Sequence, residues 1–434
     1  PHSHPRLSSR LPAMASSSPS IKLLTAAAVA YLSLSVVPIN HTAREITPVK
    51  GMIQPGYERV KELFQNVAST ERGGVAMAIL KKGELVADLW AGYADPSANQ
   101  LWKNDTLAAG FSTTKVFVGV IFTLLKRQRP FEYDDKIASY WPEFGANGKA
   151  NITIGQVLDH QSGLLRFSRD FSLEEAMDPE VVSTIIEEAE PQWTPGTKMG
   201  YFGIGYGFLV DQLIRRLDSK GRGAAEFYDE EIRSKSQDPS FFLGLPSDLN
   251  HRVARVTNPS LLASSIAHLS HPIQYLTILH NFFSNGMIAE SSANYPSFLD
   301  LMNPNIVPSN SPDVRALPLI SSNGIGTSRA LAHTLDAAAS LLTEDEKVDF
   351  ASPLREIDDF VCSQKRLTGR AFSYIRHPHK EGRYLIAFFG NGLQAIVWDP
   401  IDDVIFILFR NGLKAGDDGK SEMDQMVEEV FRAQ

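Results

Sequence analysis

Apolar positions along the chain follow a helical period, then a strand period, then a helical one, and finally a strand period again. Between Gly56 and Ser69 they fall at Val60, Leu63, Phe64 and Val67, spacings that put one stripe on one face of a helix. The following stretch, GGVAMAILKKGELVADLWAGYA, holds two β-rich runs broken at Lys81-Lys82-Gly83, which predicts a hairpin with a short glycine-containing turn. Past the loop marked by Asp95-Pro96, the run KVFVGVIFTLLKR is too apolar to face water and predicts a buried helix beginning at Ser112. From Tyr133 to about Thr343 the segments ITIGQVLDH, PEVVSTIIEEAE, GYGFLVDQLIRRL and ALAHTLDAAASLL read as helices interrupted by proline and glycine. The Ser-, Asn- and Pro-rich stretch near 236–320 predicts long loops. Strands return in AFSYIRH, RYLIAFF, LQAIVWD and VIFILFRNG, and SEMDQMVEEVFRA closes as an amphipathic helix. The expected fold class is α/β (α+β): an antiparallel sheet built from both chain ends and flanked by helices, with a mostly helical region inserted in the middle.

Two parts are expected. Residues 1–50 read as a leader, and residues 51–434 as one domain, with its α/β part roughly at 51–130 and 320–434 and its helical part roughly at 131–319. Within the leader, Leu23 to Ile39 is almost continuously apolar and follows Lys22, close to the length of a signal peptide or membrane anchor. The absence of acidic residues before Glu45 also fits a mitochondrial presequence. Entry to the secretory route, ending outside the cell or anchored through residues 23–39, is the expectation adopted, with the mitochondrion as the alternative. The sequons at Asn40, Asn104 and Asn151 fit that route, but each is read as a plain surface asparagine.

Composition narrows the chemistry. With 434 residues and 43% hydrophobic content the chain can bury a large core. A net charge of −8 without any long Lys/Arg block leaves no electrostatic footprint for nucleic acid. Cys362 is the only cysteine, which excludes an intrachain disulfide and Cys-rich metal centres, and a buried, inert thiol is expected. His377 and His379 flank Pro378 without a recognised metal spacing, and there is no H-E-x-x-H, C-x-x-C or P-loop. Gly324-Ile325-Gly326 lacks the further glycine and preceding strand of a dinucleotide site, so it reads as packing at a helix start. No cofactor and no metal are expected.

The sharpest signal is Gly110-Phe111-Ser112-Thr113-Thr114-Lys115, where a loop becomes the buried helix. Residues i and i+3 share a helix face, so the Ser112 hydroxyl and the Lys115 amine can come within hydrogen-bond reach. Desolvation at the edge of an apolar core disfavours the charged amine and frees Lys115 to act as a base. The helix start adds N–H groups and partial positive charge for a developing oxyanion. Glycine before and threonine after Ser112 do not complete a G-x-S-x-G elbow, because Thr114 stands at its last position.

S-x-x-K is a signature of serine β-lactamases and penicillin-binding proteins. This chain resembles that family, especially its class C β-lactamase-like branch and the eukaryotic β-lactamase domain-containing proteins. The matching pieces are FSTTK at 111–115, LDHQSGL at 158–164, PGTKMGYFGIGYGFL at 195–209, SSNGIGTSRALAH at 321–333, and GNGLQAIVWDP with NGLKAG across 390–416. They follow the family's order and cover nearly everything from about residue 55 onward, implying a β-lactamase/transpeptidase-like fold. By the same resemblance Tyr201 falls on the tyrosine of the Y-x-N motif, where a phenol can share and return the proton of the Ser112–Lys115 pair. The third position of that motif is Gly203, which has no amide to offer a substrate. The K-T-G or H-x-G motif aligns with Phe388-Phe389-Gly390, of which only the glycine survives. Gly390 then lets the backbone approach a substrate, and the N–H groups of Ser112 and Asn391 are the implied oxyanion donors. Phe388 stands where the family carries a cation or imidazole, which disfavours β-lactams and peptide carboxylates and favours an apolar acyl or alcohol group. His160, in the 158–164 match, is read as a structural histidine.

Two functions are carried forward. The first is a metal-independent serine hydrolase acting on a small ester or amide, with transfer of the acyl group as a close variant. The second is a catalytically weak protein of the same fold used for binding or assembly, motivated by the changes at Gly203 and Phe388.

Overall fold

Strand β1 (Lys50–Ile53) precedes helix α1 (Glu58–Thr70), and β2 (Gly74–Lys81) and β3 (Glu84–Asp95) form the first hairpin. The turn between β2 and β3 is the two residues Lys82 and Gly83, with φ of 51° and 77°, the left-handed pair that matches the twist of a tight hairpin. The short β4 (Gln100–Leu101) pairs with β3, and β5 (Ala108–Ala109) leads into the turn that carries Ser112. Helix α2 (Val116–Gln128) follows, with α3 (Ile154–Leu158), α4 (Pro179–Glu188) and α5 (Gly205–Leu217) beyond it. After β6 (Phe241–Leu243) and β7 (Gly324–Gly326) comes α6 (Ser328–Ser340). The chain then runs through β8 (Arg355–Asp359), β9 (Gln364–Gly369), β10 (Phe372–Arg376), β11 (Tyr384–Gly390), β12 (Gln394–Asp399) and β13 (Val404–Arg410) to helix α7 (Lys420–Val430). The computed structural model describes residues 47–259, 296–299, 307–362, 364–414 and 418–432. The apolar stretch at 23–39 lies outside these, as does much of the region expected to hold long loops.

The large sheet has the order β1-β3-β2-β13-β12-β11-β10-β9-β8, and its pairings are antiparallel. The two ends of the chain meet in the pairing of β2 with β13, which runs in register from Lys81 opposite Val404 to Val75 opposite Arg410. β13 is buried along its whole length because both faces of the sheet are covered. Val404, Phe406 and Leu408 face α1 and α7, whereas Ile405, Ile407 and Phe409 share a core with α2, α5 and α6. Full burial of one such side chain contributes about 1.5–3 kcal/mol, so this double-sided strand anchors the molecule. At its end the guanidinium of Arg410 meets Glu71, just past α1, at 2.9 Å, with both side chains almost fully buried.

Two strand regions, one in the large sheet and one in a separate three-stranded sheet, differ from the sequence expectation. β8 and β9 are strands although REIDD and QKRLTG show no apolar alternation; they are an edge pair, partly exposed, that needs little of it. Gly324-Ile325-Gly326 is itself a strand, pairing with β5 on one side and β6 on the other, immediately before α6. A Cβ on Gly324 would lie 2.5 Å from the Phe241 ring, and one on Gly326 would lie 2.5 Å from the Ser240 carbonyl oxygen, so both glycines serve close packing. Among the described residues no helix is long and apolar enough to cross a membrane.

Candidate active site

The helix expected from Ser112 begins as a 3-10 turn, Phe111–Lys115, that runs directly into α2. Gly110 donates its N–H to the Gly324 carbonyl at 2.8 Å, and its own carbonyl accepts from both the N–H and the hydroxyl of Thr113. Thr114 Oγ1 donates to the Phe111 carbonyl and accepts the Gly324 N–H. These bonds fix Phe111 at a φ of +48°, a left-handed conformation that costs a bulky residue about 1–2 kcal/mol and turns the next side chain outward. Ser112 is that next residue, and it stands on the wall of a cavity of about 560 Å³.

Ser112 Oγ has two neighbours of chemical consequence. Lys115 Nζ lies 3.2 Å away, and the Tyr201 hydroxyl donates to it at 2.8 Å. The Lys115 side chain is 1% exposed, and its amine also donates to the Ser321 carbonyl at 2.6 Å. Burial, and then the charge of Arg366, hold its pKa well below the ordinary lysine value, since among the described residues no carboxylate offsets the loss of water. Burial pushes the Tyr201 phenol up to about 12, so it keeps its proton at neutral pH. Ser321 is held in turn by its hydroxyl, which donates to the Ile204 carbonyl at 2.8 Å.

Gly203 lies on the cavity wall, and a Cβ built there would come no closer than 3.5 Å to the Tyr201 ring, so space exists for the side chain it lacks. Gly390 ends β11 against the Ser112 turn, where a Cβ would sit 2.7 Å from the Gly110 carbonyl oxygen. Close approach of two backbones therefore requires glycine at 390. Asn391, directly after it, also borders the cavity. Phe388 is 9% exposed; it shares the core face of the sheet with Ile386 while presenting an edge to the cavity, and the neighbouring Phe389 is the more open ring at 42% exposed.

Other residues named from the sequence fall in three places. His160 borders the cavity with a φ of +57°. Its Nδ1 accepts the Phe202 N–H at 3.4 Å, its carbonyl accepts the Gly200 N–H, and its ring lies 5.0 Å from Tyr201 and 4.3 Å from Tyr206. Burial, then the charge of Arg366, holds its pKa well below the usual range, leaving a neutral ring that braces the tyrosine turn. Cys362 is half-buried on the cavity wall rather than in the core, and burial pushes its thiol up to about 11. His377, by contrast, is remote in sequence from the acids it meets: its ring lies within 4.8 Å of Asp399 and Asp402 oxygens, a spacing that could hold a metal ion. Arg383 already contacts both carboxylates and Lys380 contacts Asp402, so two cations occupy the role a metal would take.

Asp359 and Arg366 were not legible as site residues. Asp359 accepts the Tyr201 N–H at 3.2 Å, and its other oxygen accepts Arg366 Nε at 2.7 Å. Arg366 reaches the cavity with its guanidinium carbon 5.0 Å from the centre of the Tyr201 ring. Both stand on the edge strands the apolar pattern missed, and no local spacing links them to position 201.

Ser112 on a strained turn, a buried lysine three residues on and a tyrosine from a distant loop thus meet beside the end of β11, inside an antiparallel sheet. The profile of the Beta-lactamase family matches residues 60–430, and the chain belongs to that family. It is 28% identical over 300 residues to Esterase/beta-lactamase LipL of Mycobacterium tuberculosis, a match covering 67% of this chain and 65% of that protein's length. The crystal structure of a family VIII carboxylesterase superposes with a TM-score of 0.74 at 21% identity, covering 89% of this chain and 100% of the other. A penicillin-binding protein homologue from Caulobacter crescentus gives 0.72 at 24% identity with coverage of 89% and 100%. The expected fold class is thereby shown.

Proposed function

We propose that the chain is a serine hydrolase that cleaves small esters, and more slowly amides, through an acyl-enzyme on Ser112. The observation that carries this reading is the position of Ser112 Oγ between the Lys115 amine at 3.2 Å and the Tyr201 hydroxyl at 2.8 Å on a cavity wall. Ser112 Oγ bonds to the substrate carbonyl carbon as its proton passes to the lone pair of neutral Lys115. The carbonyl oxygen becomes an oxyanion received by the N–H groups of Ser112 and Asn391. Collapse breaks the bond to the leaving alcohol, which takes a proton from Tyr201, and the phenol is refilled from Lys115. Water then enters, gives its proton back through the same pair, and releases the acid with Ser112 restored.

The walls favour apolar substrates. Phe111, Leu299, Val307, Phe388, Phe389 and Leu413 all border the cavity, so an ester with an apolar acyl or alcohol part gains by burial there. Gly203 offers no side-chain amide to a lactam, which supports ester over β-lactam turnover. The names of the LipL protein and of the carboxylesterase are consistent with this direction.

The test is turnover of nitrophenyl acetate and octanoate by wild type and Ser112→Ala. A rate that depends on Ser112 and rises in kcat/KM with the longer chain is expected. No Ser112-dependent rate on either ester would overturn the reading in favour of a binding or assembly role.

A further inference from the structure

Nothing in the proton relay itself explains how Tyr201 is held. It lies in a loop, 89 residues from Ser112, and only its hydroxyl bond to Ser112 ties its side chain to the nucleophile. Its main chain is tied elsewhere. Asp359 Oδ1 accepts the N–H groups of Tyr201 at 3.2 Å, Val361 at 3.0 Å and Cys362 at 3.1 Å, and Oδ2 accepts Arg366 Nε at 2.7 Å. Met199 forms a parallel bridge with Asp359, and the Phe360 N–H donates to the Met199 carbonyl at 3.1 Å. The Asp359 side chain is wholly out of water and pairs with Arg366 at 2.7 Å.

We infer that Asp359 and Arg366 are positioning residues for the reaction proposed above. Asp359 clamps the Tyr201 main chain to the β8–β9 hairpin. Arg366, oriented by Asp359, fixes the phenol ring against Ser112 and sets a permanent positive charge behind the reacting groups. The inference rests on the hydrolase reading and deepens it.

An ion pair that merely closed the edge hairpin would not need to point inward. Arg366 does: it borders the cavity and covers the Tyr201 ring at 5.0 Å. Lys115 lies 5.0 Å from the centre of the same ring. The groups facing Lys115 are Tyr201 from its loop, Tyr206 from α5, His160 from the turn after α3, and Cys362 and Arg366 from the β8–β9 hairpin. Arg366 is the permanent cation in that set, because burial holds His160 neutral. Its charge opposes protonation of Lys115 and so extends to lower pH the range in which the amine can accept the Ser112 proton.

The experiment compares wild type, Arg366→Gln and Arg366→Lys on nitrophenyl butyrate across pH, with the fraction of live Ser112 counted by a fluorophosphonate label. Loss of the positive charge in Arg366→Gln should move the acid limb of kcat/KM upward by about one pH unit. It should also lower kcat about tenfold per live site, with KM changed less than about twofold. Arg366→Lys should return the limb to the wild-type position while leaving kcat reduced, since lysine cannot reproduce the Nε bond to Asp359. An unmoved acid limb in Arg366→Gln, or a loss explained entirely by fewer labelled sites, overturns the inference alone. Wild type lacking any Ser112-dependent turnover overturns the hydrolase reading and this inference with it.

Discussion

Replacing Lys115 with methionine isolates the consequence of burying its amine. The side chain is 1% exposed, and its polar partners are the neutral oxygens Ser112 Oγ and the Ser321 carbonyl. Among the described residues no carboxylate forms an ion pair with it, and the charge acting on it most strongly is the like charge of Arg366. The rings of Tyr201 and Tyr206, at 5.0 and 5.8 Å, favour an ammonium by about 0.5–2 kcal/mol. An unpaired buried charge costs several kcal/mol, so the neutral amine wins. The folded chain therefore binds fewer protons at this position than the unfolded chain, from the lowered folded pKa up to the unfolded value near 10.4. Stability must rise with pH across that window, by about 1.4 kcal/mol per pH unit from this one group. Methionine carries no proton and has no such slope. In urea unfolding of both proteins at mildly alkaline pH, the advantage of Lys115→Met should shrink by about 1.4 kcal/mol for each unit of pH raised, other titrations cancelling in the difference. A difference that stays constant with pH would refute the neutral, desolvated Lys115.

Three further outcomes follow from the geometry. Tyr201→Phe removes the hydroxyl 2.8 Å from Ser112 Oγ and should lower kcat on nitrophenyl esters by about 10²–10⁴, with KM and melting temperature little changed. Gly390→Ala places a Cβ 2.7 Å from the Gly110 carbonyl oxygen, so β11 must retreat from the nucleophile turn; the rate of Ser112 labelling should fall sharply in a protein that still folds. Arg410→Met leaves Glu71 buried without its main partner and should cost about 3–5 kcal/mol in urea unfolding, most of it regained in the double variant with Glu71→Leu.

Legibility of the fold tracked burial. Strands such as VIFILFR and AIVWD, covered on both faces, announce themselves by unbroken β-branched and aromatic runs, and the Lys82-Gly83 turn by its glycine. REIDD and QKRLTG do not, because a partly exposed edge pair carries charges where alternation would otherwise show. The 110–115 turn was readable because Ser112 and Lys115 are neighbours on one helical turn, so spacing alone brings them together. Tyr201 came only through family resemblance, since its meeting with Ser112 depends on a long chain excursion. Asp359 and Arg366 had neither advantage: Asp359 meets Tyr201 across 158 residues through a main-chain hydrogen bond that leaves no trace in residue type, and Arg366 meets only its ring. The Cys362 thiol, expected to be buried and inert, is half-buried on the cavity wall, and burial still pushes it up to about 11. Proximity of His377 to Asp399 and Asp402 was likewise invisible to motif spacing, the histidine coming from the β10–β11 turn and both acids from the end of β12 and the turn after it.

The central claim is a covalent bond between Ser112 and the acyl group of the substrate. Rapid acid quench of the protein with an activated nitrophenyl ester, followed by mass spectrometry of the peptide containing Ser112, tests it directly. The account requires that peptide to carry the acyl mass in wild type, to carry more of it in Tyr201→Phe if deacylation is slowed further than acylation, and to carry none in Ser112→Ala. An unmodified wild-type peptide under turnover, or acylation that persists in Ser112→Ala, would contradict it.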